Sequence, residues 1–181
     1  MKKVLLFLAC FLSIIIFSGC ELNNTPTKKV EEYLNSYRNL DTVVLNQLDE
    51  TINVDTIMDA TQKSNYKDIL KKQYKDLNYT IKDETVDGNN ATVKAEIEVY
   101  DYYKLTTESD KYYATSPDEF KDTAGNIVET KYIDYKINKM TDYKERIKYT
   151  IDFTLKKVDR TWVLDDITEQ TRQKIHGLYA Y

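Results

Sequence analysis

The chain has 181 residues, with 26 Lys and Arg against 30 Asp and Glu for a formal net charge of −4; 41% of its residues are hydrophobic and 12% aromatic. Four Gly and two Pro exclude a collagen-like or linker-like chain, and the hydrophobic and aromatic content excludes wholesale disorder. The acidic balance argues against nucleic-acid partners, because phosphate recognition needs a basic surface.

In chain order, Met1-Lys2-Lys3 gives a short positive head, and Val4 to Phe17 is almost unbroken apolar sequence. That run has the length of an export signal and falls short of the roughly 20 residues that a spanning helix needs. Phe17-Ser18-Gly19-Cys20 closes it. This segment resembles the lipobox of bacterial lipoproteins, in which small residues precede a cysteine that is lipidated and becomes the mature first residue. Ser18 and Gly19 fit the small positions and Cys20 the invariant one, while Phe17 departs from the usual leucine. The resemblance implies that residues 1–19 are a signal peptide and that Cys20 carries diacylglycerol with palmitate-type chains. It also implies a partner (the membrane) and a location (its extracytoplasmic face). Two acyl chains anchor stably where one does not, at about 0.8 kcal/mol per buried methylene.

Residues 20–25 then form a short tether, in which the five residues Glu21 to Thr25 reach at most about 17 Å. Cys10 and Cys20 are the only thiols, so residues 21–181 can build neither a disulfide nor a cysteine-based metal site. With His176 the only histidine, no metal and no cofactor is expected.

Thr25-Pro26 reads as a helix start, with a capping hydroxyl before Pro at the first helical position. Val30, Tyr33, Leu34 and Tyr37 recur at helical spacing. Asp41 can cap a second helix carrying Val44, Leu45 and Leu48, and Thr61 opens a third with Tyr66, Ile69, Leu70, Tyr74 and Leu77. The period then changes to 2. Tyr79 and Ile81 start a short strand, and Asp87-Gly88-Asn89-Asn90 supplies a turn. Ala91, Val93, Ala95, Ile97 and Val99 alternate with polar residues, as do Ile147, Tyr149, Ile151, Phe153 and Leu155. Each is a strand with one buried and one wet face. A turn near Val158-Asp159-Arg160 leads to a last strand with Trp162 and Leu164, and Thr168 opens a terminal helix that Gly177 closes.

Residues 105–145, between the second and third strands, are too long for a hairpin loop and predict a helical insertion over one end of the sheet. Within it, Ser116-Pro117-Asp118-Glu119 reads as a capping box, Gly125-Asn126 as a break, and Ile133, Ile137 and Met140 as an amphipathic stripe.

Helices followed by an antiparallel sheet predict an α+β domain over residues 26–181. The element order, with the closing strand Trp162-Val163-Leu164-Asp165-Asp166-Ile167, is similar to the cystatin-like cone of the nuclear transport factor 2-like superfamily. The form it resembles is common in small lipoproteins of Gram-positive bacteria. The resemblance covers about residues 26–177 and implies N-terminal helices packed on a bent sheet. That superfamily holds enzymes and binding modules alike, so it selects no activity.

Three groups of residues carry candidate chemistry. Asp101 continues the inward register of the second strand; as a general base it would work with Tyr103 or Tyr149 as hydrogen-bond donor. The competing reading, favoured by how often alternation breaks at strand ends, stops the strand near Tyr100 and turns Asp101 to water. His176, beside Gly177, fits an imidazolium at a helix C-terminus. Tyr100 and Tyr102 share the outward register, and with Tyr112 and Tyr113 of the insertion could form an exposed binding surface for a glycan or an envelope protein. The competing reading has the inserted helices cover these rings. Phosphate-loop, dinucleotide, zinc-protease and calcium-loop motifs are absent. The composite expectation is a lipid-anchored, non-catalytic binding or accessory module of the cell envelope. The alternative is a small isomerase-like or dehydratase-like pocket enzyme using Asp101.

Overall fold

The computed structural model describes residues 24–181. The signal segment 1–19 and the lipobox Cys20 lie outside the described residues. From Asn24 onward the chain is α+β: six α-helices and a four-stranded antiparallel sheet with strands in the order β1-β2-β3-β4.

Three helices come first: α1 (Pro26–Arg38), α2 (Thr42–Asn53) and α3 (Ala60–Lys75). The Thr25 hydroxyl accepts from Lys28 N–H at 3.1 Å, as the Thr-Pro start predicts. The third helix begins one residue earlier than expected because Asp59, not Thr61, closes a reciprocal capping box with Gln62. Then β1 (Asn78–Asp87) and β2 (Asn90–Tyr100) form a hairpin, and β3 (Arg146–Val158) and β4 (Thr161–Leu164) form a second. The first strand is longer than its two apolar residues suggest. Beyond the bulge between Ile81 and Asp83 it carries exposed polar residues, held by pairing with β2. Last comes α6 (Glu169–His176), closed by Gly177 in the left-handed conformation at φ 72°.

The core lies between the inner face of the sheet and the helices. Val93, Ala95, Ile97 and Val99 of β2 and Ile151, Phe153 and Leu155 of β3 are buried, with Trp162 of β4 beside them. Val30, Leu34 and Tyr37 of α1, Leu48 of α2, Leu70 and Tyr74 of α3 and Ile175 of α6 cover that face. The outer face is polar. There Glu96 takes Lys82 and Lys148 at 3.3 Å each, linking three strands through an exposed network of modest worth.

Between β2 and β3 the chain leaves the sheet for α4 (Tyr102–Thr115), a 3₁₀ turn (Pro117–Phe120) and α5 (Glu129–Thr141). The insertion thus starts at Asp101, a few residues before the expected 105. Ser116 makes no capping hydrogen bond, so the Ser-Pro-Asp-Glu segment forms a single 3₁₀ turn. Two buried glutamines bind this layer to the rest. Gln62 of α3 donates to Thr130 C=O at 3.0 Å and to Asp134 Oδ1 at 2.8 Å on α5. Gln73 accepts from Tyr100 N–H at 2.8 Å and donates to Tyr100 C=O at 3.1 Å, pinning the last residue of β2 to α3.

Candidate functional site

Asp101 is buried, at 5% exposure, yet it faces neither water nor a cavity. It is the N-cap of α4: Oδ1 accepts from Lys104 N–H at 3.0 Å, and Oδ2 accepts from the Tyr181 hydroxyl at 2.7 Å. Both oxygens are thus engaged in holding this corner together. Tyr103 ties the same corner together, its N–H donating to Gly177 C=O at 2.7 Å and its ring meeting Tyr181 edge-on at 5.3 Å. Tyr149 is buried and donates to Tyr179 C=O at 3.2 Å. Burial, aided by the negative charge of Asp101, keeps its phenol protonated. These three residues form a joint between the sheet end, α4 and the C-terminal segment.

The tyrosine surface divides. Tyr100 and Tyr102, expected to face outward, are 8% and 1% exposed, because the strand ends at Tyr100 and a helix begins at Tyr102. They belong to a second apolar cluster with Ile69, Leu105, Ile137 and Met140. The Tyr100 hydroxyl donates to Asp76 Oδ2 at 2.7 Å, and the Arg146 guanidinium lies 4.9 Å from its ring centre. Tyr112 and Tyr113 are half-exposed on the far side of the insertion. There Tyr112 stacks on Tyr135 at 5.2 Å and 14°, Tyr113 meets Tyr132 at 4.6 Å, and Phe120 sits between them. Lys136 and Lys139 ride over the rings of Tyr132 and Tyr135.

His176 does not act as a charged cap. Its Nε2 lies 2.9 Å from the Tyr74 hydroxyl, and burial pushes its pKa down from 6.5 to about 4, so the ring is neutral at pH 7. The helix-dipole gain expected at that position is outweighed by desolvation.

The feature most able to hold a ligand is a cavity of about 270 Å³ where α3, α5 and the C-terminal segment fail to close completely on one another. Tyr66 of α3, Ile133, Ile137 and Met140 of α5, and Leu178 give it apolar walls. Thr106 of α4 and the loop between α2 and α3, through Asp55 and Met58, complete it. Its polar groups are few: the Tyr66 phenol, the Thr106 hydroxyl, the Asp55 carboxylate and the Lys136 ammonium. Asp55 Oδ1 accepts from the N–H groups of Ile57 and Met58 at 2.8 Å each, and these hold its carboxyl below the usual range. Burial, with Asp55 adding negative charge, raises the Tyr66 pKa to about 12. Chemically this is an apolar recess with one anion, one cation and one phenol at its edge. Small-molecule sites have that general make-up, though at about 300–1,000 Å³ they are mostly larger.

Sequence reading names Tyr66, Ile133, Ile137 and Met140 as stripe residues but gives no sign that the two stripes leave a gap. Asp55, Met58, Thr106, Lys136 and Leu178 carry no signal of their own. Among the described residues no group of three or more His, Cys, Asp or Glu side chains could hold a metal ion. No described helix is long and apolar enough to cross a membrane.

No protein-family model and no curated protein matches this chain. Among solved structures it is similar to a crystal structure of a "putative lipoprotein (ycdA)" from Bacillus subtilis, at 12% identity and a TM-score of 0.42. The match covers 96% of this chain and 55% of that one, so this chain spans about half the length of that protein.

Proposed function

We propose that this chain is an extracytoplasmic, lipid-anchored binding module of the bacterial cell envelope, with the cavity between α3, α4 and α5 as its ligand site. Anchoring rests on the positive head, short apolar core and Ser18-Gly19-Cys20 end of the amino-terminal segment. The cystatin-like kinship suggested by element order belongs to the same reading. One observation carries the binding role: an apolar recess of about 270 Å³ rimmed by Tyr66, Asp55 and Lys136, formed where the insertion meets α3, the α2–α3 loop and the C-terminal segment. Such a recess suits a small molecule with an apolar body and a polar end.

The environment-sensitive dye anilinonaphthalene sulfonate is a suitable probe, having an aromatic body for the walls and an anionic end for Lys136. Ile133 is only partly buried, so Ile133→Trp fills the recess without opening the core. The folded protein should bind the dye saturably, and the variant should lose most of that signal while melting at the same temperature. Equal dye binding by the variant would remove the recess as the site.

A further inference from the structure

We propose that the hairpin-tip end of the sheet rests on the outer leaflet of the membrane and that the insertion helices are held at the far end, facing away from it. The inference rests on the lipid-anchor reading above and adds an orientation to it.

The point where the chain enters the fold is fixed. Asn24 Nδ2 donates to Arg160 C=O at 2.7 Å, and Asn24 Oδ1 accepts from Trp162 N–H at 3.1 Å. One side chain thereby grips the β3–β4 turn where it passes into β4; the turn residues Asp159 and Arg160 are at φ 48° and 67°. Three residues on, Thr27 N–H donates to Glu84 Oε2 of β1 at 2.8 Å. The entry is fastened to both hairpins and cannot swing around the domain.

Cys20 precedes Asn24 by four residues, a reach of at most about 14 Å. From the same end, β2 with 11 residues and β3 with 13 run to Tyr100 and Arg146. At about 3.4 Å per residue the insertion begins some 35–40 Å away. Acyl chains in the leaflet thus hold the β1–β2 and β3–β4 turns at the surface and leave α4 and α5 beyond the tether's reach.

The tip has the chemistry of a shallow lipid contact. The large hydrophobic residues that the strands expose, Val86, Val158 and Val163, all lie within a few residues of these two turns. Lys156 stands directly opposite Val163 on the outer face, its exposed ammonium 3.6 Å from the Asp165 carboxylate. Along the rest of that face the strands present Glu96, Lys148 and Asp152, which suit water and disfavour a domain lying flat.

With no cysteine after residue 20, single reporter thiols can be placed one at a time. Asn89→Cys and Lys156→Cys report on the tip, and Asp118→Cys and Lys139→Cys on the insertion; all four positions are exposed. Each variant, isolated from its native host, is labelled with fluorescein and mixed into phosphatidylglycerol–phosphatidylcholine vesicles carrying a rhodamine headgroup acceptor. Energy transfer should be several-fold stronger from residues 89 and 156 than from 118 and 139. Equal transfer from both ends, or stronger transfer from the insertion, overturns the orientation while flotation with the vesicles leaves the anchor intact. A protein that does not float, with an unmodified Cys20 by mass spectrometry, overturns the anchor and the orientation together.

Discussion

At Asp101, strand alternation and helix capping make competing claims on one carboxylate, and capping prevails. A carboxylate accepting a helix N–H and a phenol O–H is worth more there than one facing an apolar pocket. Asp101→Ala should therefore destabilise the fold by about 1 kcal/mol in urea denaturation, through the lost cap; the Tyr181 hydroxyl, on an exposed residue, finds water instead. A negligible change would mean that the joint is not held by this residue.

His176 offers a second residue-level test. Its folded pKa of about 4 lies below the ordinary 6.5, so between those values the unfolded chain binds the extra proton. Stability should rise with pH across that window and fall as pH drops through it, by close to 2 kcal/mol from pH 7 to 5. His176→Gln keeps a partner for the Tyr74 hydroxyl and should flatten that slope; an unchanged slope would assign it to other groups.

At the scale of elements, the end of α6 is locked against the last residue of β2 and against α3 by contacts that permit almost no side-chain volume. A Cβ on Gly177 would lie 2.0 Å from Tyr100 C=O and 2.5 Å from Gln73 Nε2, in a backbone conformation that L residues avoid. Gly177→Ala should cost about 2–4 kcal/mol, seen as a fall in melting temperature, and should loosen the hold of Gln73 on Tyr100. Sequence reading places Gly177 at a helix end, and that is correct. It cannot show that α6 stops there because three elements converge on the same carbonyl. The same limit explains Tyr100 and Tyr102. Period 2 carries through Val99, and nothing local says that Asp101 will cap a helix instead of continuing the strand.

Considered as a whole, the molecule has its chain entry at one end of the sheet and the recess at the other, the two ends to which the proposals above assign anchoring and binding. Cys20→Ala in the native host should abolish palmitate labelling and shift the protein from the membrane fraction to precursor or released forms. Unchanged labelling and membrane retention would count against lipidation at this residue. The residues of the recess are scattered over α3, α4, α5, a loop and the C-terminal segment, and no stretch of chain holds enough of them to be recognised.

The α+β class, the sheet's inner face and the amphipathic stripes were determined by sequence, because periods of 2 and 3.6 are local consequences of burying one face of a strand or helix. The lipobox-like segment on which the anchoring proposal rests is also a local pattern of adjacent residues. Tertiary structure alone decided that Asp101 caps, that Tyr100 and Tyr102 are buried, and that His176 is neutral beside Tyr74. It also decided that two stripes leave a recess between them. Each depends on which partners arrive from elsewhere in the chain, 102 residues from Tyr74 to His176 in one case and 80 from Asp101 to Tyr181 in another, and on the desolvation those partners impose.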